Sequence, residues 1–323
     1  MIASGDVDAI VTTVRHADHV ELAVAALSAG VHVLLEKPAG VHASEVRELL
    51  EVAERSDASL GMMLNQRRNP MFMQLKRIID SGAIGEVIRC DWTITTWWRP
   101  QTYYDSSPWR GTWAGEGGGV LLNQAMHQLD LWQWLCGEVT QVQAWAGFGR
   151  RRNVAVEDEV TARVEFAGGA TGVFVTAVND VDGTDRLELL GTEGKIVVER
   201  SRRAVVTFLS SPEAQLSEER DYVEIARLVR ADSSTNDIFT RQEIIAPTTS
   251  TEQYRAVFEE FAEHILDGAP LRIVGAEGLA GVALANSMLL SAWRGAPVVL
   301  GVEAERDFLR ELRERQTAER DQP

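Results

Sequence analysis

The hydrophobic and polar positions of the first 84 residues follow two periods in turn. Short apolar runs predict three buried strands, at 7–14, 31–37 and 60–65. Apolar residues at three- and four-residue spacing predict a helix after each strand, at 16–30, 42–56 and 69–82. Strands that alternate with helices in this way form βαβ units around a parallel sheet.

From residue 85 the pattern is typical of a mostly antiparallel sheet. Alternating apolar and polar residues indicate strands with one covered face, at 84–98, 141–149, 158–178, 185–200 and 204–209. Helical spacing predicts helices at 118–135, 251–267 and 276–293, and the charged tail from Glu303 is expected to be a solvated helix or a frayed end. The fold class is therefore predicted as α/β plus α+β, in two domains at 1–84 and 85–323.

Composition narrows the function classes. The chain has 323 residues, and its 48 acidic and 32 basic side chains give a net charge of −16, which argues against nucleic-acid binding. Two cysteines are too few for a disulfide framework and fit a reducing compartment. No apolar run approaches the roughly 20 residues of a spanning helix. We expect a cytoplasmic protein with neither a nucleic-acid partner nor a membrane partner.

The second predicted strand ends in Glu36, Lys37 and Pro38. Proline cannot continue a strand, so Lys37 lies just beyond the carboxyl end, where open α/β sheets bind ligands. Lysine occurs only at 37, 76 and 195 in this arginine-rich chain. A lysine, unlike an arginine, can lose its proton when it is desolvated. The other interpretation is a surface charge at the end of a strand, and position alone favours neither.

The predicted helix at 118–135 carries a polar stripe of Asn123, His127 and Asp130. Its opposite, apolar face is expected to be buried and consists of Leu121, Ala125, Leu129 and Trp132. The stripe lacks the lysine, arginine and glutamate that solvate an ordinary helix, and it follows a glycine run. Asp130 is expected either to orient the His127 ring or to end the stripe. One histidine beside an amide and a carboxylate makes a poor metal site, so no metal is predicted.

Residues 92–113 are unusually aromatic, with five of the nine tryptophans and two of the four tyrosines of the chain. Polar residues are interleaved among them: Arg99, Gln101, Asp105 and Arg110. Aromatic rings pack on the apolar faces of sugars, while amides and guanidinium groups bind hydroxyls. The segment therefore predicts a carbohydrate or polyol pocket, and half-buried loop packing is the alternative.

Three segments together resemble the Gfo/Idh/MocA oxidoreductase family, the glucose–fructose oxidoreductase and inositol dehydrogenase group. VDAIVTTVRHADH matches its strand–turn–histidine segment, AALSAGVHVLLEKPAG its EKP signature, and GGGVLLNQAMHQLD its GG-x-x-x-D-x-x-x-H-x-x-D motif. The match covers nearly the whole chain. Two positions depart from the pattern: Val14 replaces the usual proline, and Asn123 replaces an aspartate that is frequent in the family. A role that needs a titrating carboxylate at 123 is thereby in doubt.

The resemblance implies a fold and an activity. Residues 1–84 would form an incomplete Rossmann-like, dinucleotide-binding domain, and residues 85–323 an open-sheet domain with helices for substrate binding and oligomerisation. The expected protein is an NAD- or NADP-dependent oxidoreductase. It would transfer hydride between nicotinamide and a hydroxyl carbon of a sugar, sugar derivative or cyclitol, and act as a homo-oligomer, a dimer or a tetramer.

The resemblance also assigns site residues. Lys37 would stabilise charge on the reacting oxygen, and His127 would move the proton. Cofactor contacts are expected from Thr12, Thr13, His19, Glu36, Lys37 and Pro38. Substrate contacts are expected from Asn65, Arg99, Tyr104, Trp109, Arg110 and Asn123.

The family places a strand, a glycine-rich turn and a helix before the strand at 7–14. The glycine cluster at 115–119 lacks the third glycine of the dinucleotide motif and follows a polar loop. We expect a start codon assigned too late, or else a real truncation, and weak cofactor binding by this sequence. Two other functions stay open: an NAD-dependent glycoside hydrolase of the same fold, and a non-catalytic truncated paralogue.

Overall fold

The computed structural model describes residues 2–224, 226, 238–246 and 249–321. Near the N-terminus, three parallel strands form a sheet in the order β1-β2-β3. The strands are β1 (Ala9–Thr12), β2 (His32–Leu35) and β3 (Leu60–Met62). Each is followed by a helix, α1 (His19–Ser28), α2 (Ala43–Glu54) and α3 (Pro70–Asp80). Short 3-10 helices occur at Ile2–Ser4, His16–Asp18 and Asn65–Arg68.

Local sequence explains where these helices begin. His42 accepts a hydrogen bond at Nδ1 from the backbone N–H of Glu45 at 3.1 Å, and the Glu45 carboxylate accepts one from the His42 N–H. This reciprocal pair satisfies the open donors at the start of α2. Asn69 caps α3 through Oδ1, and Pro70 occupies the first helical position, where no N–H is needed.

The second sheet has nine strands in the order β11-β10-β9-β8-β4-β7-β6-β5-β12. The strands are β4 (Val87–Ile94), β5 (Val139–Phe148), β6 (Glu157–Phe166), β7 (Thr171–Ala177), β8 (Asp185–Gly191), β9 (Gly194–Glu199), β10 (Arg203–Leu209), β11 (Phe239–Ile245) and β12 (Val298–Val299). The β4–β7 pair is parallel, and the other pairs in this sheet are antiparallel.

The remaining helices are α4 (Gln101–Asp105), α5 (Met126–Cys136), α6 (Glu213–Glu219), α7 (Ser250–Asp267), α8 (Glu277–Arg294) and α9 (Val302–Arg320). Of these helices, α5 and α8 pack on the nine-stranded sheet. Trp132 of α5 packs on Phe166 and Phe174 of the sheet, with ring centroids 5.2 and 5.4 Å apart. Asn286 of α8 accepts a hydrogen bond from the Ala43 N–H at 2.9 Å, so α8 also holds the start of α2. Of the helices described, none is long and apolar enough to cross a bilayer.

The predicted fold class is confirmed, but the prediction that a helix starts at residue 118 is wrong. The structure has turns there, and α5 starts at Met126. The carboxylate of Glu157 accepts hydrogen bonds from the N–H groups of Gly119 at 2.8 Å and Leu121 at 3.0 Å. Its backbone oxygen accepts from Val120 at 3.1 Å. The start of β6 thus binds three N–H groups of the turn before α5. Burial raises the pKa of the Glu157 carboxyl group to about 7.

The expected burial of the apolar face is confirmed, and the polar side of α5 is buried as well. Leu129 and Trp132 are buried as predicted, but so are His127 and Asp130 on the other side. The polar side of the helix faces protein rather than water. Its polar residues therefore need partners or a ligand.

Candidate active site

Lys37 connects the two parts of the chain. It follows β2 and is half-buried, and its Nζ donates a hydrogen bond to the backbone oxygen of Asn123 at 2.7 Å. Asn123 lies in the turn that precedes α5. The carboxyl edge of the parallel sheet thus meets the segment that carries the predicted polar stripe.

Charges of both signs surround Lys37. Burial lowers the pKa of its ammonium group, and Glu36 and Glu116 oppose that effect. The guanidinium groups of Arg99 and Arg110 lower the pKa further. Desolvation disfavours a charged amine, and nearby cations add to that cost. The site therefore contains a lysine that gives up its proton more easily than a surface lysine.

His127 lies in the first turn of α5 and is buried. Burial and the charge of Lys37 together lower its pKa to about 3. The imidazole is therefore neutral at ordinary pH, and its buried Nδ1 has no hydrogen-bond partner within the described part of the chain. A neutral imidazole next to a cation can accept a proton.

Glu116, which the sequence analysis did not single out, organises this region. It is buried, and its Oε2 accepts a hydrogen bond from the Gly111 N–H at 2.6 Å. Its Oε1 accepts one from Nδ2 of Asn123 at 2.5 Å, and the same Nδ2 lies 3.2 Å from the Tyr103 hydroxyl. The one available signal was a lone carboxylate inside the glycine cluster at 115–119.

The aromatic segment forms a wall beside this network. Arg110 lies against the rings of Tyr103 and Trp109, 4.3 and 4.7 Å from their centroids, and donates a hydrogen bond to the Tyr103 hydroxyl. Arg99 lies 5.1 Å from the same Tyr103 ring. The predicted residues Arg99, Trp109 and Arg110 are half-buried and come together around Tyr103.

The choice of Tyr104 as a substrate residue needs correction. Its side chain is buried and packs edge-on against Tyr103, with the ring centroids 5.1 Å apart. Consecutive residues of a helix point about 100° apart, so only one of the two tyrosines in α4 can face the site. The structure turns the Tyr103 side chain, rather than that of Tyr104, toward Asn123 and Arg110.

Asp130 neither orients His127 nor ends the stripe. Both of its carboxylate oxygens accept hydrogen bonds from Arg67, at 2.9 and 2.6 Å. Arg67 also donates to Glu277 at 2.6 Å. Burial raises the pKa of Asp130, and the paired guanidinium opposes that effect. This buried cluster stabilises the packing of α5 rather than the His127 ring.

Unpaired polar atoms line the carboxyl edge of the parallel sheet. Oγ1 of Thr12, Oδ1 of Asn65 and Nδ1 of His16 are buried without a hydrogen-bond partner among the described residues. Thr13, next to Thr12, is exposed. Buried polar atoms without partners cost stability unless a ligand or water satisfies them. These residues fit a dinucleotide, which binds at this edge of such sheets.

His16 was missed by the sequence analysis. Its ring lies 5.6 Å from that of Trp109, edge-on, and 6.0 Å from that of His19. Burial, with the charge of Lys37, lowers its pKa to about 3. The neutral His16 ring thus lies between the carboxyl edge of the parallel sheet and the aromatic wall.

The expected direct cofactor contact of His19 is not supported. The His19 side chain is buried, and its Nδ1 and Nε2 lie 2.7 and 3.2 Å from the backbone oxygens of Pro38 and Val14. It therefore holds two loops together and has no free ring nitrogen.

Glu36 turns its carboxylate to the N–H of Lys37 at 3.0 Å, and burial raises the pKa of Glu36. No group of three or more metal-ligating side chains occurs among the described residues.

Comparison with known families agrees with this geometry. Residues 1–63 match the model described as "Oxidoreductase family, NAD-binding Rossmann fold", and residues 72–197 match "GFO/IDH/MocA C-terminal domain". The chain belongs to the Gfo/Idh/MocA oxidoreductase family. The predicted resemblance, the oxidoreductase class and the nicotinamide cofactor are thereby confirmed.

Individual relatives are distant. Inositol 2-dehydrogenase of Rhizobium meliloti is 28% identical over 291 residues, which is 90% of this chain and 79% of that enzyme. Levoglucosan dehydrogenase of Pseudarthrobacter phenanthrenivorans is 30% identical, over 57% of this chain and 53% of that enzyme. The WlbA dehydrogenase from Bordetella pertussis, solved with NADH and UDP-GlcNAcA, has a similar fold, with a TM-score of 0.77 at 24% identity over 94% of this chain and 82% of that one.

Proposed function

We propose that this family member is a dehydrogenase or reductase acting on a hydroxyl carbon of a sugar or cyclitol, with Lys37 and His127 on the reacting oxygen. One observation carries the assignment. Nζ of Lys37 is held 2.7 Å from the Asn123 oxygen, just before the helix whose first turn carries His127. The inositol and levoglucosan dehydrogenases among its relatives support the substrate class.

Lys37 is suited to stabilise the reacting oxygen. A lysine ammonium group has three N–H donors, and one of them is used by Asn123. Nζ makes no second hydrogen bond within the described residues, so its other donors can bind a substrate oxygen, whose negative charge grows as its carbon is oxidised. The nicotinamide, when bound, supplies or accepts the hydride.

His127 is suited to move the proton. Its ring is neutral at ordinary pH, and Nδ1, which has no partner among the described residues, is the proposed acceptor of the hydroxyl proton in the oxidation direction. In the reduction direction it returns a proton to the carbonyl oxygen. Asn123 would fix a substrate hydroxyl, and Thr12, Thr13, Asn65 and Pro38 are the proposed contacts at the dinucleotide edge.

The test is the formation of NADH. The purified chain is incubated with NAD⁺ or NADP⁺, in a series up to millimolar concentration, and with a panel of inositols, aldoses and anhydrosugars. We expect substrate-dependent NADH with at least one member of the panel and a preference for NAD⁺. Cleavage of a glycoside without net NADH would favour the hydrolase alternative. Absence of both activities, with no binding of NAD⁺ by calorimetry, would favour the non-catalytic paralogue.

We also propose that residues 85–323 mediate self-association through the nine-stranded sheet. Trp145 of β5, Val173 of β7 and Val299 of β12 are exposed next to buried neighbours, and Trp145 is 59% exposed. Monomers seldom expose apolar residues on a continuous sheet face. Sedimentation at tens of micromolar should give a dimer or tetramer, on the order of the range where weak homodimers form. Trp145→Glu should shift it toward monomer, and a monomeric wild type contradicts the proposal.

We propose a cytoplasmic location and no nucleic-acid partner. The net charge of −16 supports the absence of a nucleic-acid partner, because a negative surface repels phosphate backbones. Cys90 and Cys136 are free thiols, as expected in a reducing compartment. Fractionation of the source cells with an antibody against the chain tests the location.

A further inference from the structure

Two arginines of the aromatic wall lie beside the site without a close ion pair in the described part of the chain. Among the described residues, neither Arg99 nor Arg110 has a carboxylate oxygen within 4.0 Å. The buried Nε atom of each has no hydrogen-bond partner there either. Arg99 donates to the backbone oxygen of Trp98 at 3.1 Å, and Arg110 donates to the Tyr103 hydroxyl.

Two other arginines in the interior form ion pairs. Arg67 forms ion pairs with Asp130 and Glu277, both at 2.6 Å. Arg68 lies 2.8 Å from a carboxylate oxygen of Glu260. A partly desolvated guanidinium group is costly unless an anion compensates it.

Arg152, which is half-buried and also lacks an ion pair among the described residues, donates instead to three backbone oxygens. The side chains of Arg99 and Arg110 each have a single hydrogen-bond partner there.

The Glu116 carboxylate offsets this positive charge only in part: against the effect of burial, Arg110 and Lys37 both act to lower its pKa, but neither donates a hydrogen bond to it. Glu116 is committed to the Gly111 N–H and the Asn123 side chain. Both arginines also lie close enough to lower the pKa of Lys37. Three cationic side chains therefore converge on the site, and an anion entering it would be attracted by all of them.

We propose that the substrate is an anionic sugar, carrying a carboxylate or a phosphate, which Arg99 and Arg110 bind while Lys37 and His127 hold the reacting hydroxyl. A guanidinium group offers parallel N–H donors that match either anion. The rings of Tyr103 and Trp109 keep both guanidinium groups in place and present an apolar surface to the sugar. The inference rests on the proposed function, because it uses the same site.

Binding and turnover are measured separately, so that the two proposals can fail independently. Tryptophan fluorescence reports binding of glucuronate, galacturonate, glucose 6-phosphate, glucose and galactose to the chain without cofactor. NADH formation with NAD⁺ reports turnover of the same sugars. We expect an anionic sugar to bind about tenfold or more tightly than its neutral parent, a difference of about 1.4 kcal/mol. The preference should weaken as salt is added.

Arginine variants test the assignment to these two side chains. Arg99→Gln and Arg110→Gln should each weaken the binding of the anionic sugar more than the binding of glucose, so that the preference falls. Arg77→Gln, at an exposed position on α3, is the control and should keep the preference. Comparison of glucuronate with glucose 6-phosphate shows which anion the site takes, and either result supports the proposal.

Two results would overturn the inference. The first is that neutral sugars bind as tightly as their anionic derivatives. The second is that the preference survives in both Arg99→Gln and Arg110→Gln. Turnover of neutral sugars without any preference leaves the proposed function intact and removes only this inference. Selective binding of an anionic sugar without NADH formation keeps this inference and counts against the proposed function.

Discussion

Lys37 and Asn123 are 86 positions apart in the sequence and are joined by one hydrogen bond of 2.7 Å. The bond uses the backbone oxygen of Asn123, so its side-chain amide is left for other partners. That amide donates to Glu116 and lies 3.2 Å from the Tyr103 hydroxyl. A chain of hydrogen bonds thus connects Lys37, the turn before α5 and Tyr103 of the aromatic wall.

These hydrogen bonds explain why an amide is found at position 123, where the family frequently has an aspartate. Glu116 can only accept when it is ionised, so its neighbour must donate. Asn123→Asp would place two carboxylates in contact, and one of them would hold a proton or repel the other. We predict a loss of about 1–3 kcal/mol in the free energy of unfolding at neutral pH, measured in urea.

Glu116→Gln provides the matched test of that prediction. In the double variant Asn123→Asp, Glu116→Gln, the new amide can donate to the aspartate and still accept from the Gly111 N–H. The double variant should therefore be more stable than Asn123→Asp alone. If the two substitutions simply add, the 2.5 Å contact between these side chains is not the reason for Asn123.

The turn before α5 should be sensitive to a single methyl group. A Cβ atom added to Gly119 would lie 2.1 Å from the backbone oxygen of Glu157. Gly119→Ala should therefore destabilise the chain by about 1–3 kcal/mol and lower activity through displacement of Asn123. Gly168→Ala is the control, since a Cβ there meets no atom within 4 Å. Equal stability of the two variants would show that the turn adapts freely.

Acid should destabilise the protein through its buried histidines. The pKa of His127 is about 3 in the folded chain, against about 6.5 in an unfolded one. Below about pH 6.5 the unfolded state therefore binds a proton that the folded state does not, and stability falls as the pH drops toward 3. His16, also with a pKa of about 3, acts in the same direction.

His127→Gln isolates one of these contributions. Between pH 6 and pH 4 the wild type should lose about 2–3 kcal/mol relative to the variant, near 1.4 kcal/mol for each pH unit. Urea unfolding at several pH values measures the difference. Glu157 has the opposite effect, because its raised pKa of about 7 means that stability falls as the pH rises above the usual pKa of a glutamate. This contribution is the same in the wild type and the variant, so it cancels in the comparison. A difference that is independent of pH would contradict the assignment.

The strands of the parallel sheet and the position of Lys37 could be predicted because they depend on neighbouring residues, whereas β11 and β12 were not predicted. An apolar run followed by proline determines where β2 ends, whatever the rest of the chain does. The EKP signature then indicated that this strand end was chemically important. The aromatic segment was singled out on composition, and the structure places its Arg99 and Arg110 near Lys37, while Trp92 and Trp113 belong to the core. Its role in substrate binding stays a prediction.

The errors concern contacts between distant residues. Glu157 lies 38 positions beyond Gly119, yet its carboxylate binds the turn that precedes α5. Arg67 lies 63 positions before Asp130, and it takes the carboxylate that we expected near His127. Which tyrosine of the pair at 103 and 104 faces the site depends on how α4 packs. Helical periodicity carries no information about such partners.

The central claim is that Lys37 and His127 act on the same substrate oxygen. A double-mutant cycle on the turnover rate tests it most directly, with Lys37→Met, His127→Ala, both together, and Lys76→Met as a surface control. We predict that each single substitution lowers turnover by about 10² or more, the scale of a lost acid–base group. The double variant should then be little slower than the slower single variant, because the two residues serve one step. Near wild-type turnover in either single variant, or effects that multiply fully in the double variant, would contradict the claim.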